Sequence, residues 1–368
     1  MFEQFNPARL RLARLRRQYT LKLLAEKVGL STKMVSEYEK EPCRYNPPEE
    51  TLSAFAVALN YPKEFFMDTD NLEPVDRDTV SFRALKRMKA SQMHAAVAAG
   101  EIGVLINNFF DNKFSLPKTN VPDYRGIEPS SAASAIRSEW DLGHRSISNM
   151  IHLLEKNGVR VFSLSENTQD VDAFSFWKDN VPYVFLNTQK SGERSRFDAA
   201  HELGHLLLHA HGVPQGKDIE AEADSFAANL LMPKETVLPY KNKLINLSSV
   251  LKLKHNWKVS AMALIVQMKN VGVLSEWQYK TLIIDAGKMG LRTREIDGID
   301  RERSLVIEKI LLSLREDGIS MSKLAQLLHI PLDELSGLLF SIGLVNSGNT
   351  DMNQAKTANT RPYLRLVK

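Results

Sequence analysis

The sequence predicts an α+β chain that is mostly helical: an N-terminal all-α bundle, a small sheet that precedes a histidine-bearing helix, and a helical C-terminal region. Three observations carry this prediction. From Arg9 to Leu59 the pattern is helical, broken only at Gly29-Leu30-Ser31 and around Pro42 to Pro48. Val159 to Leu164 alternates apolar and polar residues as a strand does, and Ala173 to Trp177 and Tyr183 to Leu186 read as two more strands with a turn from Lys178 to Val181. Helical pattern then continues, mostly unbroken, to about Ser341.

With 368 residues the chain is too long for one ordinary core, so two or three domains are expected. Hydrophobic residues at 43% and charged residues at 25% exclude a largely disordered chain. The net charge of +4 says little about nucleic acid, but its distribution says more. Arg9, Arg11, Arg14, Arg16, Arg17 and Lys22 fall in one stretch without an acidic residue, which suits either a phosphate-facing surface or a solvated helix face. The single cysteine, Cys43, permits no intrachain disulfide and fits a reducing compartment. No apolar run approaches the roughly 18 residues of a membrane span, and a cytoplasmic location without membrane contact is expected.

In order along the chain, we expect a DNA-binding bundle over residues 1–72, a helical linker region over 73–130, a sheet-and-helix domain over 131–290, a further helical unit over 291–345 and a polar tail over 346–368. Phe82 to Phe110 is alanine-rich and helical, Lys113 to Pro129 is a proline-containing loop, and Ser131 to Asn157 is helical with Gly158 closing it. The histidine-bearing helix starts near Ser191 to Ser195 and stops at Gly212 with Pro214 beyond. A second helix covers Ile219 to Leu231 and is stopped by Pro233.

The chemistry concentrates at His201-Glu202-Leu203-Gly204-His205. Two histidines at i and i+4 lie on one helical face about 6 Å apart along the axis, so both imidazoles can converge on one ion. A hydrolytic zinc site needs three protein ligands and an open position for water, and Glu202 beside the first histidine is placed to act as general base. A third ligand must come from elsewhere. On an unbroken helix His209 would sit about 12 Å along the axis from His201, too far to join both. The next helix offers Glu220, which shares a face with Ala223, Asp224 and Ala227, small residues that would let two helices approach. Glu222 points about 160° away and is the fallback. Asp224, one turn beyond Glu220, is placed to accept from an imidazole N–H. The competing reading is a solvated acidic face.

These residues resemble a known family. Arg196 to His209, followed by Glu220 to Pro233, is similar to the ImmA/IrrE metallopeptidases, as are the strand segments Asp172 to Trp177 and Pro182 to Asn187. The resemblance covers roughly Ser131 to Lys280 and implies a zincin-like fold, a Zn2+ cofactor, and Glu220 as third ligand. It suggests that an extended substrate adds to a sheet edge, for which Tyr183 to Asn187 is the candidate. An oxyanion stabiliser is not identified by the sequence, and Tyr183 and His209 are the guesses.

At the other end, Thr20 to Glu39 reads as helix, tight turn at Gly29, and second helix capped by Ser31, with Leu24, Val28, Leu30, Val35 and Tyr38 as the shared core. The arrangement resembles the XRE/Cro-repressor helix-turn-helix, with Leu21 replacing the glutamine often found there. By position Thr32, Lys33, Ser36 and Glu37 are the expected base readers, with Arg17, Lys22 and Lys40 on phosphates. Such domains pair on two half-sites, so a homodimer on double-stranded operator DNA is expected, against the alternative of a helical pairing module.

Helix-turn-helix spacing recurs at Lys258 to Leu274 and Gly318 to Phe340, without a concentrated basic face, which favours packing or partner binding. Two functions remain. One is a transcriptional regulator whose zinc endopeptidase cleaves a partner or repressor protein, in a phage, mobile-element or toxin–antitoxin setting. The other is a non-catalytic autoregulator or antitoxin that uses the peptidase fold as a binding platform. Retention of Glu202 favours the enzyme.

Overall fold

The N-terminal bundle forms where the sequence supplies caps. Asn6 accepts from the N–H groups of Ala8 and Arg9 and starts α1 (Pro7–Arg16); Thr20 caps α2 (Leu21–Val28) and Ser31 caps α3 (Thr32–Tyr38), each accepting one first-turn N–H at 3.1 Å. Gly29 ends α2 at φ +71°, a left-handed conformation that a Cβ would strain. The chain continues into α4 (Glu49–Leu59) and a 3-10 turn at Lys63–Phe66. Leu24, Val35, Tyr38, Phe55 and Phe65 fill the core, while Val28 and Leu30 are partly buried against it.

The computed structural model describes residues 5–42, 46–68, 75, 80–82, 89–164, 172–209 and 217–342. Cys43, the Gly212 and Pro214 helix ending and the tail over 346–368 lie outside the described residues, as does part of the linker region.

After β1 (Ser81–Phe82) comes α5 (Ala90–Asp111), then α6 (Pro129–Glu139) and α7 (Met150–Lys156), separated where one helical run to Asn157 was expected. The expected strands appear as β2 (Arg160–Leu164), β3 (Ala173–Lys178) and β4 (Val181–Asn187). Asp179 and Asn180, with φ of 50° and 60°, make the tight turn of the β3–β4 hairpin. The sheet order is β1-β3-β4-β2, with β2 and β4 parallel and the other pairs antiparallel.

The aromatic rings of Phe162, Phe174, Phe176, Tyr183 and Phe185 stack on one face of this sheet, and α5 lies against them. The other face carries α8 (Gly192–Leu208), which meets α9 (Lys217–Leu231). The remaining elements are α10 (Lys234–Val237), α11 (Leu247–Leu253), α12 (Ala261–Asn270), α13 (Glu276–Lys288), α14 (Leu305–Glu316), α15 (Met321–Leu327) and α16 (Leu332–Leu338).

The sheet order corrects one expectation. β4, proposed as the edge that receives substrate, is paired on both sides, by β3 and by β2. Its ladder groups are spent within the sheet, so it cannot add a further strand. Both β3 and β4 pack on the histidine helix, and the outer side of β3 pairs with β1 over Ser81 and Phe82.

The recurrent helical units also differ from a DNA-reading role. In α16, Glu334, Leu335, Ser336 and Leu338 are buried, and the helix packs on β2. The Ser163 hydroxyl donates to the Gly337 carbonyl and accepts from the Phe340 N–H at 2.8 Å. In α12, Gln267 is buried and donates to the Met232 carbonyl at the end of α9, so this helix buttresses the histidine-bearing domain.

Candidate metal centre and nucleic-acid interface

Close approach of α8 and α9 builds the centre, and small residues permit it. Gly204 lies between the two histidines and faces Ala223; a Cβ at Gly204 would stand 3.0 Å from the Phe226 ring and 3.3 Å from the Ala223 Cα. A larger side chain at Gly204 would hold the two helices further apart. His201 and His205 are buried, their Nε2 atoms 3.0 Å apart, and Glu220 reaches them from α9 at 3.5 and 3.4 Å. Candidate ligand atoms of these three lie within 4.8 Å of one another, and among the described residues they are the group suited to hold a metal ion.

The protonation states fit that use. Burial pushes the His205 imidazole down to about 4, leaving a neutral ring with a nitrogen lone pair to offer. Burial raises the Glu220 carboxyl, but hydrogen bonds from His201 and His205 outweigh it and hold the group at about 2. Glu220 Oε1 is buried and turned into the centre, 3.4 Å from His205 Nε2. Two imidazoles and one carboxylate converging from two helices are a donor set for a divalent metal ion.

Around the cluster, the structure places each remaining residue. Glu202 is fully buried next to His201, and its Oε2 accepts from the Ser175 hydroxyl of β3 at 2.6 Å. Asp224 Oδ1 lies 2.8 Å from His201 Nδ1, behind the ring. His209 leaves the helix, because α8 ends at Leu208 rather than running to Gly212, and its backbone is extended at φ −114° and ψ 131°. Leu206-Leu207-Leu208 predicts no break here, yet His209 still stands outside the ligand group: its ring lies behind His205, Nδ1 to Nδ1 at 2.9 Å. Glu222, the fallback ligand, meets His209 Nε2 at 3.1 Å instead.

Tyr183 is not at the centre. Its hydroxyl accepts from Asn107 of α5 at 3.0 Å on the aromatic face of the sheet, whereas Ser175 and Trp177 bond to α8 on the other. A one-residue alternation along β3 and β4 decides which face a side chain takes.

Sequence reasoning missed the supports of α8. Arg196 is fully buried, pairs with Glu302, and donates to the Ile147 carbonyl. Glu302 also accepts from the N–H groups of Met150 and Ile151 at the start of α7, at 2.7 and 3.2 Å. Glu193, near the start of α8, accepts from the Ile299 N–H at 2.9 Å. The carboxylate partners lie more than a hundred residues apart in sequence, and the one local signal was an arginine within the helical pattern of α8.

At the nucleic-acid end, Thr32 and Lys33 are exposed on the first turn of α3. Ser36 and Glu37 follow on the same helix, half-buried, and Lys40 is exposed but pairs with Glu37 at 2.5 Å. Lys22 on α2 is exposed, 3.9 Å from Glu26. Arg17, expected on phosphate, is instead bound to protein: it donates to the Leu59 and Asn60 carbonyls, pairs with Glu334 and stacks over Tyr61. Arg9 pairs with Asp68, Arg14 with Glu39 and Arg16 with Glu334. Much of the basic run therefore holds the bundle together and anchors α16 to it. Desolvated arginines with carboxylate partners have no charge to spare for DNA.

A family model described as the IrrE N-terminal-like domain, of a peptidase family, matches residues 154–269, and a helix-turn-helix model matches residues 10–66. The chain fuses a helix-turn-helix DNA-binding module to an IrrE-like peptidase domain. A search of curated proteins finds no match. The peptidase match spans β2 through α12 and includes His201, Glu202, His205 and Glu220; the helix-turn-helix match spans α1 to the turn after α4. The His-His-Glu cluster inside the peptidase match is consistent with a metalloenzyme, and its fusion to a DNA-binding module with a regulator that has proteolytic activity. No helix among the described residues is long and apolar enough to cross a membrane.

Proposed function

We propose that the protein is a transcriptional regulator that binds operator DNA through α3 and cleaves a partner or repressor protein with a zinc-dependent endopeptidase site. The observation that carries this reading is the convergence of His201, His205 and Glu220 beside a buried Glu202 that Ser175 holds in place. Two histidines and a glutamate are a donor set of catalytic zinc sites, which leave a coordination position open. Zinc held by these residues supplies Lewis acidity, lowering the barrier to attack by water on a peptide carbonyl.

The rest of the chemistry belongs to this chain's own side chains. Glu202 takes a proton from the attacking water on a carboxylate oxygen and returns it to the departing amine nitrogen. The Ser175 hydroxyl donates to Oε2, orienting the carboxylate so that Oε1 is the atom that receives the proton. Asp224 fixes the His201 ring by accepting from Nδ1. On the DNA, Thr32, Lys33, Ser36 and Glu37 read bases while Lys22 and Lys40 meet phosphates, and two copies engage two half-sites.

The competing reading is a non-catalytic autoregulator or antitoxin that uses the same fold to bind a partner. Glu202 argues against it, since a purely structural or binding centre needs no buried carboxylate next to the ligands. The two separate on one experiment. A cell extract incubated with the zinc-loaded protein is labelled at new N-termini and read by mass spectrometry. New termini with the native protein and none with Glu202→Gln are expected; equal termini, or none with either, would leave the binding platform as the function.

A further inference from the structure

We infer that His209 and Glu222 form a relay that positions His205, so that the second histidine of the centre is oriented by two further residues as the first is by Asp224. The inference rests on the metal-site reading above and deepens it. The two histidines turn their Nε2 atoms towards each other and Glu220, and their Nδ1 atoms away. Each Nδ1 then meets a partner: Asp224 Oδ1 at 2.8 Å for His201, His209 Nδ1 at 2.9 Å for His205.

Tautomer logic fixes the direction of the chain. A ring that offers its Nε2 lone pair to a cation carries its proton on Nδ1 and needs an acceptor there. Asp224 is an acceptor by nature. His209 is an acceptor at Nδ1 only when its own proton sits on Nε2, and the Glu222 carboxylate 3.1 Å from that nitrogen selects this form. Donation runs from His205 Nδ1–H to His209 Nδ1, and from His209 Nε2–H to Glu222.

Local structure makes the arrangement available. α8 ends at Leu208, the backbone at His209 is extended, and its ring lies against His205 with centroids 4.9 Å apart. Glu222, two residues past Glu220 on α9, falls outside the ligand group and meets His209 instead. One acidic helix thus serves both histidines: Glu220 at the centre, Asp224 behind His201, and Glu222 behind His205 through His209.

The test is a double-mutant cycle read by zinc affinity, measured in competition with a chromophoric chelator on the full chain. His209→Phe and Glu222→Ala should each weaken zinc binding by about 10- to 100-fold. The double variant should lose no more than His209→Phe alone, because Glu222 acts only through His209. Glu222→Gln, which keeps an acceptor oxygen, should recover most of the Glu222→Ala loss. With Co2+ in place of zinc, the visible absorption band of His209→Phe should keep its shape and intensity once saturated, since the number of ligands is unchanged. Unaltered zinc affinity in His209→Phe, additive losses in the double variant, or collapse of the cobalt band would each overturn the relay. Should His209→Phe fail to fold, Glu222→Ala and Glu222→Gln at a half-exposed position still decide it, by a loss and its recovery or by no change. If the native protein itself binds no zinc, the metal-site reading falls rather than the relay alone.

Discussion

Glu302→Ala is the perturbation whose cost the structure defines most fully. Glu302 lies on the segment between α13 and α14, yet it holds both α7 and α8. Its carboxylate pairs with Arg196, whose side chain has no exposed surface, and accepts from the Met150 and Ile151 N–H groups at 2.7 and 3.2 Å. Removing it leaves a buried guanidinium without its counter-charge, a change that costs about 3–5 kcal/mol. Burial already lowers the Arg196 pKa, the mark of a charge held in a poorly solvating place that depends on Glu302. Losing the acceptor of the first two N–H groups of α7 adds about 1 kcal/mol. A loss near 4–6 kcal/mol is a large share of the 5–15 kcal/mol typical of a folded domain. Urea unfolding of the metal-free protein, followed by far-ultraviolet circular dichroism, measures it. Glu302→Gln, which keeps an acceptor for the α7 N–H groups but not the charge, should lose less. A Glu302→Ala midpoint equivalent to under about 1 kcal/mol would refute the reasoning that Arg196 depends on this carboxylate.

Other outcomes follow from the same geometry. Gly204→Val should displace α9, because even a Cβ would meet Phe226 at 3.0 Å, and zinc affinity should fall at least tenfold in chelator competition; native affinity would mean that the helix spacing is not critical. Burial raises the Glu155 carboxyl to about 7 against the Ser304 hydroxyl and the Val306 and Leu305 N–H groups that lower it. The folded state therefore binds that proton more tightly than the unfolded chain, so its stabilisation is present below the usual carboxylate range and is lost as pH rises to about 7. Urea midpoints at pH 5 and pH 8 should show a drop of about 1–3 kcal/mol that Glu155→Gln reduces; an unchanged drop in the variant would assign it elsewhere. For the DNA end, Lys33→Ala with Ser36→Ala should relax operator choice, while Lys22→Ala should weaken all duplexes alike and reduce the salt slope by about 1, both by fluorescence anisotropy. Identical effects would undo that division of labour.

What could be read in advance was local. Two histidines four residues apart lie on one helical face whatever surrounds them, and Glu220 shares a face with Ala223 and Asp224 by helical period alone. The caps Thr20 and Ser31 and the turn glycine Gly29 announce themselves in the same way. What was not legible depends on partners far along the chain. The arginines of α1 look like a phosphate surface until Asp68, Glu39 and Glu334 are seen beside them. Alternation marks Tyr183 to Asn187 as a strand but cannot say that β2 and β3 flank it. The early end of α8 at Leu208 has no glycine or proline to signal it, since Leu206, Leu207 and Leu208 are all good helix formers.

The central claim is that zinc held by α8 and α9 works with Glu202 to cut a peptide bond. The most direct measurement pairs zinc content by mass spectrometry of metals with appearance of new protein N-termini, for the native chain and Glu202→Gln. The account predicts one zinc per chain in both, with new termini from the native protein alone. A native chain purified under reducing conditions without zinc, or a Glu202→Gln chain that generates the same termini at the native rate, would contradict it.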